Sequence, residues 1–468
     1  MKKLLLVSTA LAGVALMSSP ASAALTMSLG GYFDGYGVYA DNKDAGGANS
    51  LAQYAFRRDT DVFVNGESTL DNGLTVGAHT DIALGNDTAP GNPNLATNVV
   101  FMNQAYAYGS GGWGRVDLGV SDGAAYLLQV AAPSADSNVD GLRVNIAALN
   151  TLPAVGTSVV TTQDTRLAGL LGQGGVLNIN NLTGNSDAFG AATTTNLSYA
   201  QDDFKQTDRI TYLTPKFNGF QAGASFAPQP GIQSATGGMP NNDLTGAGGS
   251  TATGAGATFK DVWEAAARWD GEFQGVSGSL GAGYSSSSLA GNNTAFDAVH
   301  TTGSAALNNG LKTWNFGANL GMAGFSLGGV YKESQVDEQA WTTAGTKNFT
   351  GTVEDKTWIA GLGYDNGPYH LGGSYQHDKT TDPAFASNLT VAGDWLPGGN
   401  YTETKYTLGA GYTFAPGMTF RGAFTWGKLD ATSTGLGAGN SSTGHALALY
   451  NSPSNDYDEV TVGTTIAF

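Results

Sequence analysis

The chain has 468 residues, with 21 Lys and Arg against 38 Asp and Glu, 69 glycines and no cysteine. A net charge of −17 without any Lys/Arg run excludes nucleic acid as a partner, and the missing thiols exclude disulfides and thiolate metal sites. Past the N-terminus no stretch approaches the ~20 apolar residues of a membrane helix, so any crossing of a bilayer must use strands.

In chain order, the first element is a secretory signal. Lys2 and Lys3 precede the apolar run Leu4 to Met17, and Ala21-Ser22-Ala23 places small residues where a signal peptidase reads, so cleavage is expected after Ala23. The domain then spans 24–468. Removing Lys2 and Lys3 from the 21 basic residues leaves 19 against 38 acidic, a net charge of −19.

From there period-two alternation dominates. Val62, Val64, Gly66 and Ser68 alternate with Asp61, Phe63, Asn65 and Glu67; Asp71-Asn72-Gly73 turns the chain; Leu74, Val76, Ala78, Thr80 and Ile82 alternate with polar residues. Strands are predicted at 25–40, 55–70, 74–85, 99–109, 114–121, 207–215, 219–228, 260–271, 275–288, 312–321, 324–335, 356–365, 368–379, 403–414, 418–429 and 457–468. Tight turns such as Lys216-Phe217-Asn218, Met322-Ala323 and Asn366-Gly367 alternate with long polar loops such as 229–258, 336–355 and 380–402. An even number of strands with short turns at one end and long loops at the other predicts an all-β fold. It is a 16-stranded antiparallel transmembrane β-barrel with short periplasmic turns and long extracellular loops.

Face assignment agrees with that architecture. Trp263, Trp269, Trp314, Trp358, Tyr364, Tyr369, Tyr375, Tyr406, Tyr412 and Trp426 fall on the apolar phase near strand ends, with small and aliphatic residues between them. These are the expected aromatic girdles at the two membrane interfaces. The other phase holds polar side chains suited to water. By alternation Arg57, Arg115, Arg209, Arg268 and Arg421 face the lumen, because arginine on the lipid side costs roughly 2–4 kcal/mol near the midplane. Arg58 lies at a strand mouth. The longest gap between strands, about 122–206, is a loop of unusual length that includes Leu170, Leu171 and Leu177. The last strand ends on Phe468 in phase with the apolar face.

The segments Gly66-Glu67-Ser68-Thr69-Leu70-Asp71-Asn72-Gly73, Gly112-Trp113-Gly114-Arg115-Val116-Asp117-Leu118-Gly119, Arg209-Ile210-Thr211-Tyr212-Leu213-Thr214-Pro215 and Phe220-Gln221-Ala222-Gly223-Ala224-Ser225-Phe226 resemble motifs of the Gram-negative general porins, the alphaproteobacterial branch above all. The resemblance covers the mature chain in strand order. It implies a homotrimer in the cell outer membrane, passive diffusion of small hydrophilic solutes and ions, and a third loop folded inward to narrow the pore. It also implies contact with outer-membrane lipid and lipopolysaccharide, and an assembly signal at Phe468 read by the assembly machinery. Asp122, Asp136 and Asp140 in the proximal loop are candidates for the acidic side of the constriction. Arg57, Arg58, Arg115, Arg209 and Arg268 are candidates for the basic side. The negative balance predicts mild cation preference.

No catalytic constellation, cofactor or metal site is read from the sequence. The five histidines lack ligand spacing, and Gly-Ala-Gly strings lack the remainder of a nucleotide fingerprint. Two rivals stand beside the general channel. A barrel-embedded hydrolase needs a nucleophile matched to His377 or His445, and none is evident. A substrate-specific channel needs stacked lumen aromatics for sugars or a lysine-rich loop for anions; neither is expected, since most aromatics take the outward phase.

Overall fold

A computed structural model describes residues 24–42, 54–84, 100–142, 144, 146, 199–204, 207–228, 259–289, 305–307, 310–341, 347–382, 399–433 and 454–468. The predicted signal 1–23 and the middle of the long loop, with Leu170, Leu171 and Leu177, lie outside the described residues.

The described chain forms one antiparallel sheet. In order it comprises β1 (Thr26–Asn42), β2 (Tyr54–Thr69), β3 (Thr75–Leu84), β4 (Val100–Gly111), β5 (Gly114–Ser121), β6 (Thr207–Leu213), β7 (Phe220–Ala227), β8 (Phe259–Phe273) and β9 (Val276–Leu289). It continues with β10 (Ala305–Leu307), β11 (Lys312–Met322), β12 (Phe325–Trp341), β13 (Lys347–Asn366), β14 (Tyr369–Asp382), β15 (Gly399–Ala415), β16 (Met418–Ser433) and β17 (Ser454–Ala467). β10 is a three-residue piece on the loop end of β12. The remaining sixteen strands are the staves of a closed barrel, because β1 pairs with β17 as well as with β2.

The tight ends follow from local chemistry. Gln274-Gly275 and Ala323-Gly324 take positive φ at both positions (52° and 81°; 52° and 87°), the two-residue turn whose twist matches the flanking strands. The second turn falls one residue later than expected, since Met322 still pairs with Phe325. At the other end β12 and β13 run past their predicted limits. Val336 pairs with Val353 and Glu338 with Gly351, so much of the predicted 336–355 loop is ladder. Beyond the bilayer both faces of a strand are wet, and alternation loses the contrast that reveals it.

The distribution of burial is the inverse of a water-soluble protein's. Leu320, Leu362 and Val462 are 59%, 54% and 63% exposed, whereas Lys332, Glu403 and Asp378 are buried. Outside water such a surface has one stable setting, a hydrocarbon phase around the staves. No helix among the described residues is long and apolar enough to cross a membrane; the strands do so.

Candidate functional site: the lumen and its inward loop

The long loop enters the barrel directly after β5. Its root is the short helix α1 (Ala124–Leu127), whose first N–H groups donate to Ser225 Oγ at 3.2 Å and Glu264 Oε2 at 3.3 Å. Glu264 also accepts from Arg209 at 3.0 Å and from Ser225 at 2.9 Å, and Arg209 reaches the Phe204 carbonyl as well. Both members of the Arg209–Glu264 pair are buried, so the pair clasps the two ends of the loop to the wall. Asp122 lies beside it, buried and accepting from Gln104 at 3.0 Å.

From Leu128 onward the chain runs crosswise to the staves, in a groove made by lumen-facing glycines. Gly281 and Gly317 are paired across β9 and β11, and Cβ atoms there would lie 2.9 and 3.0 Å from the Val130 side chain. Further round, a Cβ on Gly361 would come within 1.8 Å of the Pro133 carbonyl oxygen, and one on Gly372 within 2.2 Å of that of Ser134. Gly409, paired with Gly372, would meet Ala135 at 2.9 Å. Strand glycines at these positions permit backbone on backbone, the close approach for which no other residue leaves room. Polar wall side chains then satisfy the loop's carbonyls: Arg268 donates to Gln129 at 3.1 Å, and the His370 ring to Ser134 at 3.0 Å.

The belt ends at β16, β17 and β1. Asp136 accepts from Tyr36 Oη at 2.9 Å, Arg421 at 3.1 Å and its own turn's Asn138 N–H at 3.0 Å. Asp140 accepts the N–H groups of Ala135 and Asp136, both at 2.9 Å, and the Ser374 hydroxyl. Burial raises the Asp140 carboxyl above the usual carboxylate range. The returning segment 199–204 lies over the first: Gln129 donates to the Tyr199 carbonyl at 2.7 Å, and Tyr199 packs with Ala132, Val330 and Ile359. Gln201 bonds Ser285 and the Thr313 carbonyl, both at 3.0 Å. Burial pushes Asp203 up to about 6, against the favourable nearness of Lys332.

The candidate basic residues are spread along the wall. Arg57 is buried on β2; Arg58 stands on the opposite phase beside Phe56, which is 93% exposed. Arg115 pairs with Asp117 at 2.6 Å and Arg268 with Asp270 at 2.9 Å, both half-open to the lumen. The candidate girdle residues stand in two rows. Trp358, Tyr375, Tyr406 and Trp426 are in successive ring contact at 4.7, 4.8 and 5.2 Å towards the loops, joined there by Trp263 and Trp314. Tyr364, Tyr369, Tyr412 and Trp269 lie towards the turns. Phe468 exchanges two 3.0 Å backbone hydrogen bonds with Gly31, whose missing side chain leaves room for the Phe468 ring. Sequence reasoning missed Gln129, Gln201, Asn138 and Tyr36 as loop anchors. A polar residue inside a loop gives no local signal of a partner on a distant stave.

A family model described as Gram-negative porin matches residues 8–432. No curated protein matches by sequence. Among solved structures, an anion-selective porin from Comamonas acidovorans is similar at TM-score 0.50 and 15% identity, over 95% of this chain and 100% of that one. The trimer form of OmpT, an outer-membrane protein of Vibrio cholerae, gives 0.48 and 11% over 95% and 100%. OmpF of Salmonella typhi gives 0.46 and 14% over 95% and 98%. With a closed sixteen-stave barrel, an apolar exterior, a charged interior and a match over most of its length, the chain belongs to the Gram-negative porin family of outer-membrane channel proteins.

Proposed function

We propose that the protein is a passive diffusion channel for small hydrophilic solutes and ions, with mild preference for cations. The observation that carries this reading is the wet, charged inner face narrowed by the belt of residues 128–138. The preference for cations is supported by the balance of lumen charge. Asp34, Asp59, Asp61, Asp81 and Asp117 crowd β1 to β5, and Asp355, Asp378, Glu403 and Glu459 line β13 to β17, whereas Arg209, Arg268 and Arg421 are engaged with carboxylates or the loop. Negative walls of low dielectric concentrate cations. Asp122, Asp136 and Asp140 act here chiefly by fixing the belt. Together with Arg57, Arg115, Arg209 and Arg268, which are spread along the wall, they supply the fixed charges of the constriction, whereas Arg58 stands on the outward phase and lies outside it.

The chain is exported by its signal 1–23 and functions as a homotrimer held in lipid and lipopolysaccharide by its two aromatic rows, with Phe468 read during assembly. Gly37 on the outward phase of β1 leaves room for barrels to pack, whereas the space at Gly31 and Gly35 is filled by the Phe468 and Phe33 rings. In planar bilayers under a KCl gradient, the reversal potential is expected to have the sign of K⁺ preference; clear Cl⁻ selectivity rules that preference out.

A further inference from the structure

On β1 to β4 five rings occupy the lumen phase, where the sequence pattern placed few. Tyr32, Phe63, His79, Tyr106 and Tyr108 follow one another at centroid distances of 6.0, 6.1, 5.0 and 6.4 Å. Register fixes their side: Tyr32 pairs with the buried Asp61, Tyr108 with the buried Asp117, and His79 with Tyr106. All five are half-buried, and the rings and polar groups they touch are on β1 to β5. Tyr32 Oη lies 2.8 Å from both Asp59 and Asp61, His79 bonds Asn65 at 2.5 Å, and Tyr108 donates to Glu67 at 2.8 Å. The Arg115 guanidinium lies 4.2 Å from the Tyr108 centroid and 5.8 Å from that of Tyr106.

We propose that this row is a binding track for uncharged sugars, a role that rests on the channel reading above. A pyranose has an apolar C–H face and a rim of hydroxyls that donate and accept. The rings offer flat apolar area with little conformational entropy to lose. Asp61 and Glu67 accept beside them, and the Asn103 amide, 3.3 Å from Asp61, and Arg115 donate. The carboxylates repel anionic solutes. Organic cations are disfavoured because Arg115 already lies over the two tyrosine faces at the row's end. The row is an open strip, so it holds a sugar weakly and lets it leave, as conduction requires.

The test uses the purified full-length protein in planar bilayers, with maltotriose as the probe and sorbitol, which has no ring, at equal mass. Maltotriose is expected to reduce ion current saturably at millimolar concentration, and sorbitol only in proportion to viscosity. Phe63→Leu and Tyr106→Leu keep an apolar side chain but lose the ring; they are expected to bind maltotriose about tenfold more weakly. The outward Tyr364→Leu is expected to leave that binding unchanged. Equal effects of maltotriose and sorbitol on a conducting channel overturn the track, as does undiminished block in both leucine variants. Stronger block by tetramethylammonium that both variants abolish overturns the sugar assignment. Failure of the parent protein to conduct at all overturns the channel reading instead.

Discussion

At the scale of single residues, the lumen is governed by carboxylates whose work is attachment. Asp203 is the clearest case. Its folded value, about 6, lies above the ordinary 3.8, so between those values the seated loop holds a proton that the released loop has lost. The seat of 199–204 is therefore firmest in acid and weakens as pH rises from 3.8 through about 6, on the order of 3 kcal/mol in all. Hydrogen exchange at Gln201 to Phe204 should be slower at pH 5 than at pH 7.5, and Asp203→Asn should remove the difference. Exchange that is pH-independent in the parent, after correction for intrinsic rates, refutes this. Little of this network was legible beforehand. Asp136 and Asp140 were readable as loop acids, but their partners Tyr36 and Ser374 stand 100 and 234 positions away.

The elements themselves were far more legible, because lipid on one side and water on the other write alternation into every stave. All sixteen predicted strands correspond to observed ones. What could not be read was the path of the belt, since a glycine that lets the sheet bend and one that seats a second backbone look alike in sequence. The structure separates them. On the lumen face Gly361 has the Pro133 carbonyl at 1.8 Å from a built Cβ, whereas Gly411 meets nothing nearer than 3.5 Å. Gly361→Ala should cost the belt about 1–3 kcal/mol by overpacking, with altered single-channel conductance and faster proteolysis of the loop. Gly411→Ala should leave both unchanged, and identical behaviour of the two variants contradicts the groove. The aromatic row on β1 to β4 escaped notice for a related reason: counting rings over the whole barrel hid a local reversal of phase.

At the scale of the whole molecule, the decisive contact joins β1 to β17, with Phe33 opposite Ile466 and Gly37 opposite Val462. Such separation makes closure slow, since the full loop must be brought together before any pairing offsets its entropy. Without Ser454–Ala467, β1 and β16 would each present an unpaired edge, the condition sheets avoid by charge, cover or closure. A variant lacking 454–468 should show no compact, heat-modifiable band on a denaturing gel and should aggregate; a compact band would disprove the need for this seam. The same seam means that permeability arrives all at once. A hoop short of one stave encloses nothing, so an interrupted product is refuse for proteases and never a leak. The membrane that accepts such a hole meets it only when it is already of finished bore.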